Sequence, residues 1–331
     1  MSRALALLLA AAACGSIAAA SPPEPGETKA QTELGKRLFF DPRLSADKTI
    51  SCATCHDPRK GWSDGKPVSV GIHGLKGKRN APTILNTFGF EALFWDGRAA
   101  TLEEQAVKPI VTREEMGFSA EGAERAIADV PGYKPFFAAA FGGEVVTIDR
   151  IARALAVFER SLRSMDSPYD RYNNGDQKAL TPEAKRGMLL VQGSASCSAC
   201  HSGPTFSDSR FHNLGVGIEK APPDLGRFEI SKRDRDRGGY RTPTLRNLKN
   251  TAPYMHDGSM KTLREVIDFY DKGGVENAWL DPDVQPLKLT EQNKTDILAF
   301  LEALNGDPLV LTPPAPLPDA PVQASVQTRM R

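Results

Sequence analysis

Two copies of the pentad Cys-x-x-Cys-His set the plan of this chain: CATCH at residues 52–56 and CSACH at residues 197–201. This spacing is typical of c-type haem attachment, in which two thiols form thioethers with one porphyrin and the histidine ligates the iron. Two pentads therefore predict two covalently bound haem c groups. The predicted attachment and proximal residues are Cys52, Cys55 and His56 at the first site, and Cys197, Cys200 and His201 at the second.

Two other uses of Cys-x-x-Cys remain as alternatives, namely a zinc site shared by both pairs and a thioredoxin-like redox pair. Zinc does not require a histidine directly after both pairs. A thioredoxin-like pair would sit in a βαβ pattern, which we do not find in this sequence. The repeated pentad with its histidine therefore favours haem.

Length and charge limit the possible functions. With 331 residues the chain can hold about two domains. Its formal net charge is +1, so it lacks the basic footprint of a nucleic-acid-binding protein, and we expect no nucleic-acid partner.

Residues 1–20 predict an export signal, with a short positive start at Arg3 and an apolar stretch too short to span a bilayer. The cleavage point is open: residues 18–20 form an A-x-A site, whereas the residues before Cys14 resemble a lipoprotein box without its usual leucine. Because this type of haem attachment takes place outside the cytoplasm, we expect a periplasmic protein. A lipid anchor at Cys14 stays an open alternative.

The chain contains an internal repeat with a constant offset of 161 residues. The matched pairs are Pro82 and Pro243, Thr83 and Thr244, Asn86 and Asn247, Asp96 and Asp257, Gly97 and Gly258, Thr101 and Thr262, and Leu102 and Leu263. The pentads are only 145 residues apart, so the second copy has a longer loop, residues 207–239. We interpret this charged loop as a solvated excursion, with a mobile gate or docking edge as the alternative.

The repeat predicts an all-α fold of two cytochrome c-like haem domains related by internal duplication, at residues 28–165 and 178–305. Residues 306–331 are rich in Pro, Ala and Gln and are predicted to be disordered. Helices are expected over residues 148–164, which carry an apolar stripe at helical spacing, over residues 262–272, and after the N-cap residues Thr101 and Thr181.

The two copies differ where chemistry is expected. The offset of 161 relates Trp95 to His256, and Pro109 to Tyr270. Proline has no ligand atom, whereas a phenol can ligate iron. The repeat thus suggests one open and one closed iron, although on the repeat alone we prefer to interpret Tyr270 as a half-buried aromatic on a helix.

Two segments resemble the signatures of the bacterial di-haem cytochrome c peroxidase superfamily, which includes MauG. They are RNAPTILNTFGFEALFWDGRAATLEEQAVKPIVTREEMG, residues 79–117, and RTPTLRNLKNTAPYMHDGSMKTLREVIDFYDKGG, residues 241–274. The similarity extends from about Leu34 to Ala303 and includes both pentads in order.

This resemblance implies roles at the first haem, which would be the peroxidatic one. Trp95 matches the tryptophan that relays electrons between the haems. Gln105 and Glu115 match two residues of the distal pocket, in which Glu115 would move a proton between the oxygens of iron-bound peroxide. Pro109 matches a proline that shapes this pocket. A distal histidine found in some members matches Ile72, so we interpret the adjacent His73 as a loop residue, with a ligand role left open.

At the second haem, which would transfer electrons, ordinary di-haem peroxidases have a methionine ligand where this chain has Tyr270. A phenolate favours ferric and higher-valent iron, and tyrosine is what MauG-like enzymes have there. The resemblance also implies a calcium ion between the domains, held by the Asn80 side chain and the carbonyls of Thr251 and Pro253. His212 lies in the variable loop and receives no role.

The function implied by the resemblance is that of an exported di-haem oxidoreductase that uses hydrogen peroxide to form high-valent haem iron and oxidises a partner. Tyr270 favours MauG-like oxidation of an aromatic residue in a protein substrate. One alternative is a peroxidase that draws electrons from a small cytochrome c or cupredoxin. Another is a non-enzymatic di-haem electron carrier.

Overall fold

The computed structural model describes residues 26–319, so the predicted signal peptide with Cys14 lies outside the described residues. The eleven α-helices of this range are α1 Lys29–Phe39, α2 Cys52–Cys55, α3 Leu102–Val111, α4 Ala120–Ala128, α5 Lys134–Phe141, α6 Ile148–Ser161, α7 Pro168–Asn173, α8 Pro182–Gln192, α9 Phe228–Ser231, α10 Leu263–Asp271 and α11 Glu291–Glu302. Two short strands, β1 Phe211–Asn213 and β2 Gly239–Arg241, pair antiparallel. No helix in the described part combines the length and hydrophobicity needed to cross a membrane.

The predicted helix starts are confirmed. Thr101 accepts a hydrogen bond from the backbone N–H of Glu104, and Thr181 accepts one from that of Ala184. Thr262 forms a capping box with Glu265 at the start of α10. Each cap satisfies a backbone donor that has no partner inside the helix, so the sequence signal acts locally.

Helix α6 begins at Ile148, as expected, but ends at Ser161 rather than at residue 164. The chain leaves the helix after Ser161 because Asn86 forms hydrogen bonds with the backbone of the residues that follow. Its backbone N–H donates to the carbonyl of Leu162, and its side-chain Oδ1 accepts from the N–H of Ser164 at 2.9 Å.

The same device recurs in the second copy and confirms the duplication. Asn247 donates its backbone N–H to the carbonyl of Leu304, and its Oδ1 accepts from the N–H of Gly306 at 2.9 Å. Asn86 and Asn247 both adopt left-handed backbone, with φ of 60° and 59°. Asparagine tolerates this conformation better than most residues, which explains its presence at both positions.

Each copy is built on a close crossing between its first and last long helices, α1 with α6 and α8 with α11. At both crossings a glycine meets a backbone carbonyl. A Cβ on Gly35 would lie 1.9 Å from the oxygen of Ala154, and a Cβ on Gly187 would lie 1.9 Å from the oxygen of Asp296. No side chain fits at either place, so glycine sets the approach of the helices.

A buried aromatic cluster fills the core of each copy beside its crossing. In the N-terminal copy Trp62 packs on Phe39 and Phe158, with ring centroids 5.8 and 6.1 Å away. In the C-terminal copy Phe206 and Phe300 pack on Tyr169 of α7, at 5.2 and 5.7 Å. The contacts of the second core therefore begin at α7.

The tail differs from the predicted disorder over residues 306–319. Leu309, Leu311 and Leu317 pack against the N-terminal core. The indole N–H of Trp62 donates to the carbonyl of Leu309 at 2.8 Å, and Arg43 donates to that of Leu317 at 3.0 Å. The composition was misleading because the leucines supply apolar surface, while the prolines carry no N–H that needs a partner.

The long loop of the second copy contacts the first copy. Arg79 pairs with Asp224 through two hydrogen bonds of 2.7 Å, and Arg227 donates to the carbonyls of Asp96 and Gly97. Two stretches of the loop are largely exposed, residues 219–223 and the charged run at residues 232–237, and the run forms ion pairs within itself. The solvated interpretation thus holds for these two stretches, and other parts of the loop dock on the N-terminal copy.

We predict that Gly35→Ala destabilises the protein by about 1–3 kcal/mol, because the new methyl group forces α1 away from α6. Gly143→Ala is the matched control, since its nearest neighbour would lie 4.0 Å away. Urea unfolding of both variants measures the difference. Equal midpoints for the two variants would show that the crossing is not tight.

Candidate functional site

Each pentad forms a single turn that aims its histidine. In the first, α2 ends at Cys55, and the N–H of His56 donates to the carbonyl of Cys52 at 3.0 Å. In the second, residues 197–199 form a 3₁₀ turn, and the N–H of His201 donates to the carbonyl of Cys197 at 2.8 Å. The turn brings both thiols and the imidazole of each pentad together, as haem attachment requires.

Both imidazoles are held by their Nδ1 atoms. The Nδ1 of His56 lies 3.2 Å from the carbonyl oxygen of Trp62, and that of His201 lies 3.0 Å from the carbonyl oxygen of Phe206. A carbonyl only accepts, so Nδ1 carries the proton and Nε2 keeps a free lone pair for a metal. Burial lowers the pKa of both histidines, which maintains the neutral form that ligates iron.

Trp62 and Phe206 are positioned by backbone in the left-handed region, with φ of 61° and 53°. Bulky residues rarely adopt it, because Cβ meets the following carbonyl. Here the ring of each residue is buried in the core while its carbonyl turns towards the imidazole. The packing of each core therefore orients the proximal histidine.

The four thiols are free and half-buried. Burial raises the pKa of Cys55 to about 12 and that of Cys197 to about 11, so both stay protonated near neutral pH. Within residues 26–319, no potential metal cluster combines thiols from both pentads. The structure therefore does not bring together the thiols that one shared zinc would need.

The second pentad opens into a mostly apolar cavity of about 240 Å³. Cys197, Cys200 and His201 line one side, and Tyr270 of α10 lines it as well. The pKa of Tyr270 is raised by burial and by the two neighbouring thiols. The structure thus brings Tyr270 to the same mostly apolar cavity as His201.

Trp95, from the first copy, also lines this cavity. It is buried, its indole N–H donates to the carbonyl of Asn80 at 2.9 Å, and its ring meets that of His256 edge-on at 6.5 Å. His256, its counterpart in the repeat, stacks on Tyr240 with centroids 3.5 Å apart. An aromatic residue of one copy therefore forms part of the wall of the other copy's cavity.

The predicted distal residues lie on and just after α3. Gln105 and Pro109 are half-buried on the helix, and Glu115 is half-buried in the turn that follows it. Burial raises the pKa of Glu115, Arg98 opposes the shift and Glu114 adds to it. The raised pKa favours the protonated form of this carboxyl group, which is the form that a general acid uses.

The loop before the distal turn is fixed by Ile72, whose N–H donates to the carbonyl of Glu115 at 2.8 Å. Ile72 is buried against Gly117. The side chain of His73 is 68% exposed, and its Nδ1 lies 3.7 Å from Asp47. The structure thus places His73 at the surface of this loop.

The predicted calcium ligands lie between the copies. Asn80 is 6% exposed, and its backbone N–H donates to the carbonyl of His256 at 2.7 Å. Its side-chain amide nitrogen Nδ2 donates to the carbonyl oxygen of Lys66 at 2.7 Å and to that of Pro253 at 3.4 Å. Thr251 and Pro253 line the same cavity as Asn80. As placed here, the amide nitrogen of Asn80 rather than its oxygen faces these carbonyls, so a hard cation would require the amide to be turned.

Sequence reasoning missed His212 of β1. Its Nδ1 lies 2.6 Å from a carboxylate oxygen of Asp281, and its Nε2 lies 3.0 Å from one of Asp208. The free thiol of Cys200 and then these two carboxylates raise the pKa of His212, and only the carboxylates would still do so once Cys200 forms a haem thioether. His212 borders the second cavity. No local motif could reveal it, because Asp281 is distant in sequence.

A second missed residue is Glu159 of α6, which is 5% exposed. Its Oε2 is buried and has no hydrogen-bond partner among the described residues. Burial raises the pKa of Glu159 to about 8, Arg160 lowers it and Glu103 raises it. Its charge would in turn raise the pKa of the Cys52 thiol, so this acid lies near the first pentad. The sequence pattern of α6 did not predict that Glu159 is buried.

Comparison with known proteins agrees with this geometry. The sequence profile of the family described as di-haem cytochrome c peroxidase matches residues 29–178. The methylamine utilization protein MauG of Methylorubrum extorquens is 42% identical over 290 residues, which cover 87% of this chain and 81% of that protein. The cytochrome c551 peroxidase of Nitrosomonas europaea is 38% identical over 303 residues, which cover 89% and 87%.

A solved structure shares the fold as well. It is that of a MauG-like protein associated with microbial copper homeostasis, with a TM-score of 0.81 and 35% identity. The match covers 88% of this chain and 94% of that one. The arrangement of two cytochrome c-like halves is therefore shared over nearly their full lengths.

We predict that Glu159→Gln removes a pH dependence of stability. The pKa of Glu159 is raised in the folded state, so its stabilising effect is complete below about pH 4.5 and is lost as the pH rises through about 8. At pH 9 the variant should be about 3–5 kcal/mol more stable than the natural protein, and at pH 4.5 nearly equal to it.

Urea unfolding at both pH values measures this difference. Glu91→Gln, at an exposed position, is the control for the loss of a carboxylate. Parallel pH profiles of the natural protein and Glu159→Gln would contradict the prediction.

Proposed function

This chain belongs to the di-haem cytochrome c peroxidase family and is a hydrogen peroxide-dependent di-haem oxidoreductase; on that premise we propose that it oxidises an aromatic side chain of a partner protein, as MauG-like enzymes do. The observation that carries the proposal is the asymmetry of the two copies. Where α3 has Pro109, α10 has Tyr270, which lies in the cavity of the second pentad. Membership of this family removes the alternative of a non-enzymatic carrier.

Two haem c groups would be held by thioethers to Cys52 and Cys55, and to Cys197 and Cys200, with His56 and His201 as proximal ligands. When bound, they supply the reduction of hydrogen peroxide and the storage of its two oxidising equivalents. The protein holds the two imidazoles in the ligating tautomer through the carbonyls of Trp62 and Phe206. The protein alone holds both imidazoles in this orientation, so these residues fit a haem group.

At the first site, Glu115 would be the proton carrier. It would take a proton from one oxygen of hydrogen peroxide and deliver it to the other, so that the O–O bond can break and that second oxygen leave as water, with the two electrons supplied by the bound haem. The raised pKa of Glu115 supports this, because the carboxyl group must release and regain a proton near neutral pH. Gln105 would orient the substrate, and Pro109 contributes no ligand atom that could compete with peroxide.

At the second site, Tyr270 would be the distal ligand, and Trp95 would connect the two sites. The cavity supports both roles, since Trp95, His201 and Tyr270 all line it. A phenolate oxygen favours the oxidised states of iron, whereas the thioether of methionine favours the reduced state. This preference suits an enzyme that stores oxidising equivalents for a distant protein substrate.

The second candidate function is reduction of peroxide with electrons from a small cytochrome c or cupredoxin. The similarity to a protein named cytochrome c551 peroxidase favours it. Tyr270 is the feature that weighs against it, and a variant at that position separates the two functions.

A calcium ion between the copies and a periplasmic location complete the proposal. Asn80 Oδ1 and the carbonyls of Thr251 and Pro253 would hold the ion, with the Asn80 amide turned so that its oxygen faces the carbonyl of Pro253. The paired pentads support the location, because c-type haem is attached outside the cytoplasm. A lipid anchor at Cys14 remains an alternative to a fully released protein.

We predict that Glu115→Gln slows the reaction with peroxide about 10²- to 10⁴-fold, because glutamine cannot transfer the proton. Stopped-flow absorption after one equivalent of hydrogen peroxide measures the rate. The adjacent, exposed Glu114→Gln is the matched control and should react at the natural rate. Similar rates in both variants would remove Glu115 from the mechanism, and no reaction in the natural protein would overturn the proposed function.

Tyr270→Met tests the choice between the two functions. The variant should shift the ferrous-to-ferric ratio of the second haem at a fixed potential about tenfold or more, about 59 mV for one electron. It should also shorten the lifetime of the peroxide-oxidised protein. Tyr254→Met is the control, because Tyr254 lines the same cavity with its hydroxyl bound to the carbonyl of Leu248.

The assay with reduced cytochrome c decides the preference. Rapid peroxide turnover with that donor, unchanged in Tyr270→Met, would favour the cytochrome peroxidase function over protein oxidation.

A further inference from the structure

Arg241, at the end of β2, is a buried cation without an anionic partner in the described part of the chain. It is 5% exposed. Its Nε lies 3.4 Å from the carbonyl oxygen of Phe94, its NH1 lies 3.1 Å from that of Thr242, and its guanidinium stacks 3.9 Å over the ring of Phe90. These contacts involve neutral groups only, so the charge is not compensated.

Two other arginines with little exposed surface, Arg246 and Arg79, have anionic partners. Arg246 is 2% exposed and pairs with Asp170 at 2.7 and 2.8 Å. The side chain of Arg79 is 10% exposed and pairs with Asp96 and Asp224. Burial alone acts on Arg241 and lowers its pKa to about 10. An isolated buried charge is strongly unfavourable. The buried guanidinium of Arg241 therefore indicates a binding site for an anion that the described part of the polypeptide does not supply.

The surroundings of Arg241 identify the anion. Arg241 lines the cavity that also holds Cys197, His201 and Tyr270. The haem that would occupy this cavity carries two propionate carboxylates, and guanidinium binds carboxylates through two parallel hydrogen bonds. We propose that Arg241 binds a propionate of the second haem and thereby fixes the orientation and the reduction potential of that haem. This inference rests on the proposed haem attachment at Cys197 and Cys200.

Arg241 also contacts the segment of the N-terminal copy that carries Trp95. Its backbone N–H donates to the carbonyl of Trp95 at 2.8 Å, and its Nε faces the carbonyl of Phe94. The residue that binds the propionate therefore also holds the main chain of Trp95. A propionate held by Arg241 would therefore lie near the segment of the N-terminal copy that carries Trp95. Arg241 is a positioning residue for electron transfer between the copies.

Spectroelectrochemical titration of the holoprotein, without peroxide, tests the proposal. Loss of the positive charge in Arg241→Met favours ferric iron, so the ferric-to-ferrous ratio of the second haem at the natural midpoint potential should rise at least tenfold, about 59 mV. The first haem should keep its potential. Arg210→Met, which removes an exposed arginine just before β1, is the control and should leave both potentials unchanged. An unchanged second potential in Arg241→Met would overturn the proposal.

Arg241→Lys keeps the charge but cannot form the bidentate pair. Its second haem should retain a potential near the natural one, while the propionate-bending band in the resonance Raman spectrum shifts. This variant decides the question if Arg241→Met fails to fold or to retain haem. A propionate band identical to that of the natural protein would overturn the proposal.

A free anion is the competing source of the negative charge. If added phosphate or acetate shifts the second potential in the natural protein but not in Arg241→Met, Arg241 binds a solution anion and the proposal is wrong. Because no step uses peroxide, these results are independent of the peroxide reaction, and a protein inert to peroxide would still report on Arg241.

Discussion

The hydrogen bond between each proximal histidine and a core aromatic residue is the interaction on which the rest of this structure depends. His56 and His201 donate through Nδ1 to the carbonyls of Trp62 and Phe206, which both adopt left-handed backbone. The strain of that backbone is offset because both rings are buried in their cores. The hydrophobic core and the orientation of the iron ligand are thus set by the same residue in each copy.

On this common frame the two copies differ at two positions that the repeat relates. One helix carries Pro109 and leads into a turn in which burial raises the pKa of Glu115. The other presents Tyr270 to a mostly apolar cavity. A duplicated scaffold therefore carries two different sets of side chains without any change in overall architecture.

The copies act together because several buried contacts join them. Trp95 forms part of the wall of the second cavity, Arg79 pairs with Asp224 of the long loop, and Arg241 holds the main chain of Trp95. A buried charge is favourable only with a partner of opposite charge. The pair of Arg79 with Asp224 therefore restricts how the two copies can be arranged. The loop that sequence analysis interpreted as a solvated excursion is one of these connections, except for its two exposed stretches.

The amino-acid sequence by itself determined the two pentads, the duplication, the helix starts at Thr101, Thr181 and Thr262, and the contrast between Pro109 and Tyr270. These features depend on spacing within a few residues or on a constant offset, which can be read along the chain. Only the tertiary structure revealed the buried charge of Arg241, the pairing of His212 with Asp281, the buried acid Glu159 and the packing of residues 306–319 on the first core. Each of these depends on which surfaces distant segments bury against each other, and no local pattern contains that information.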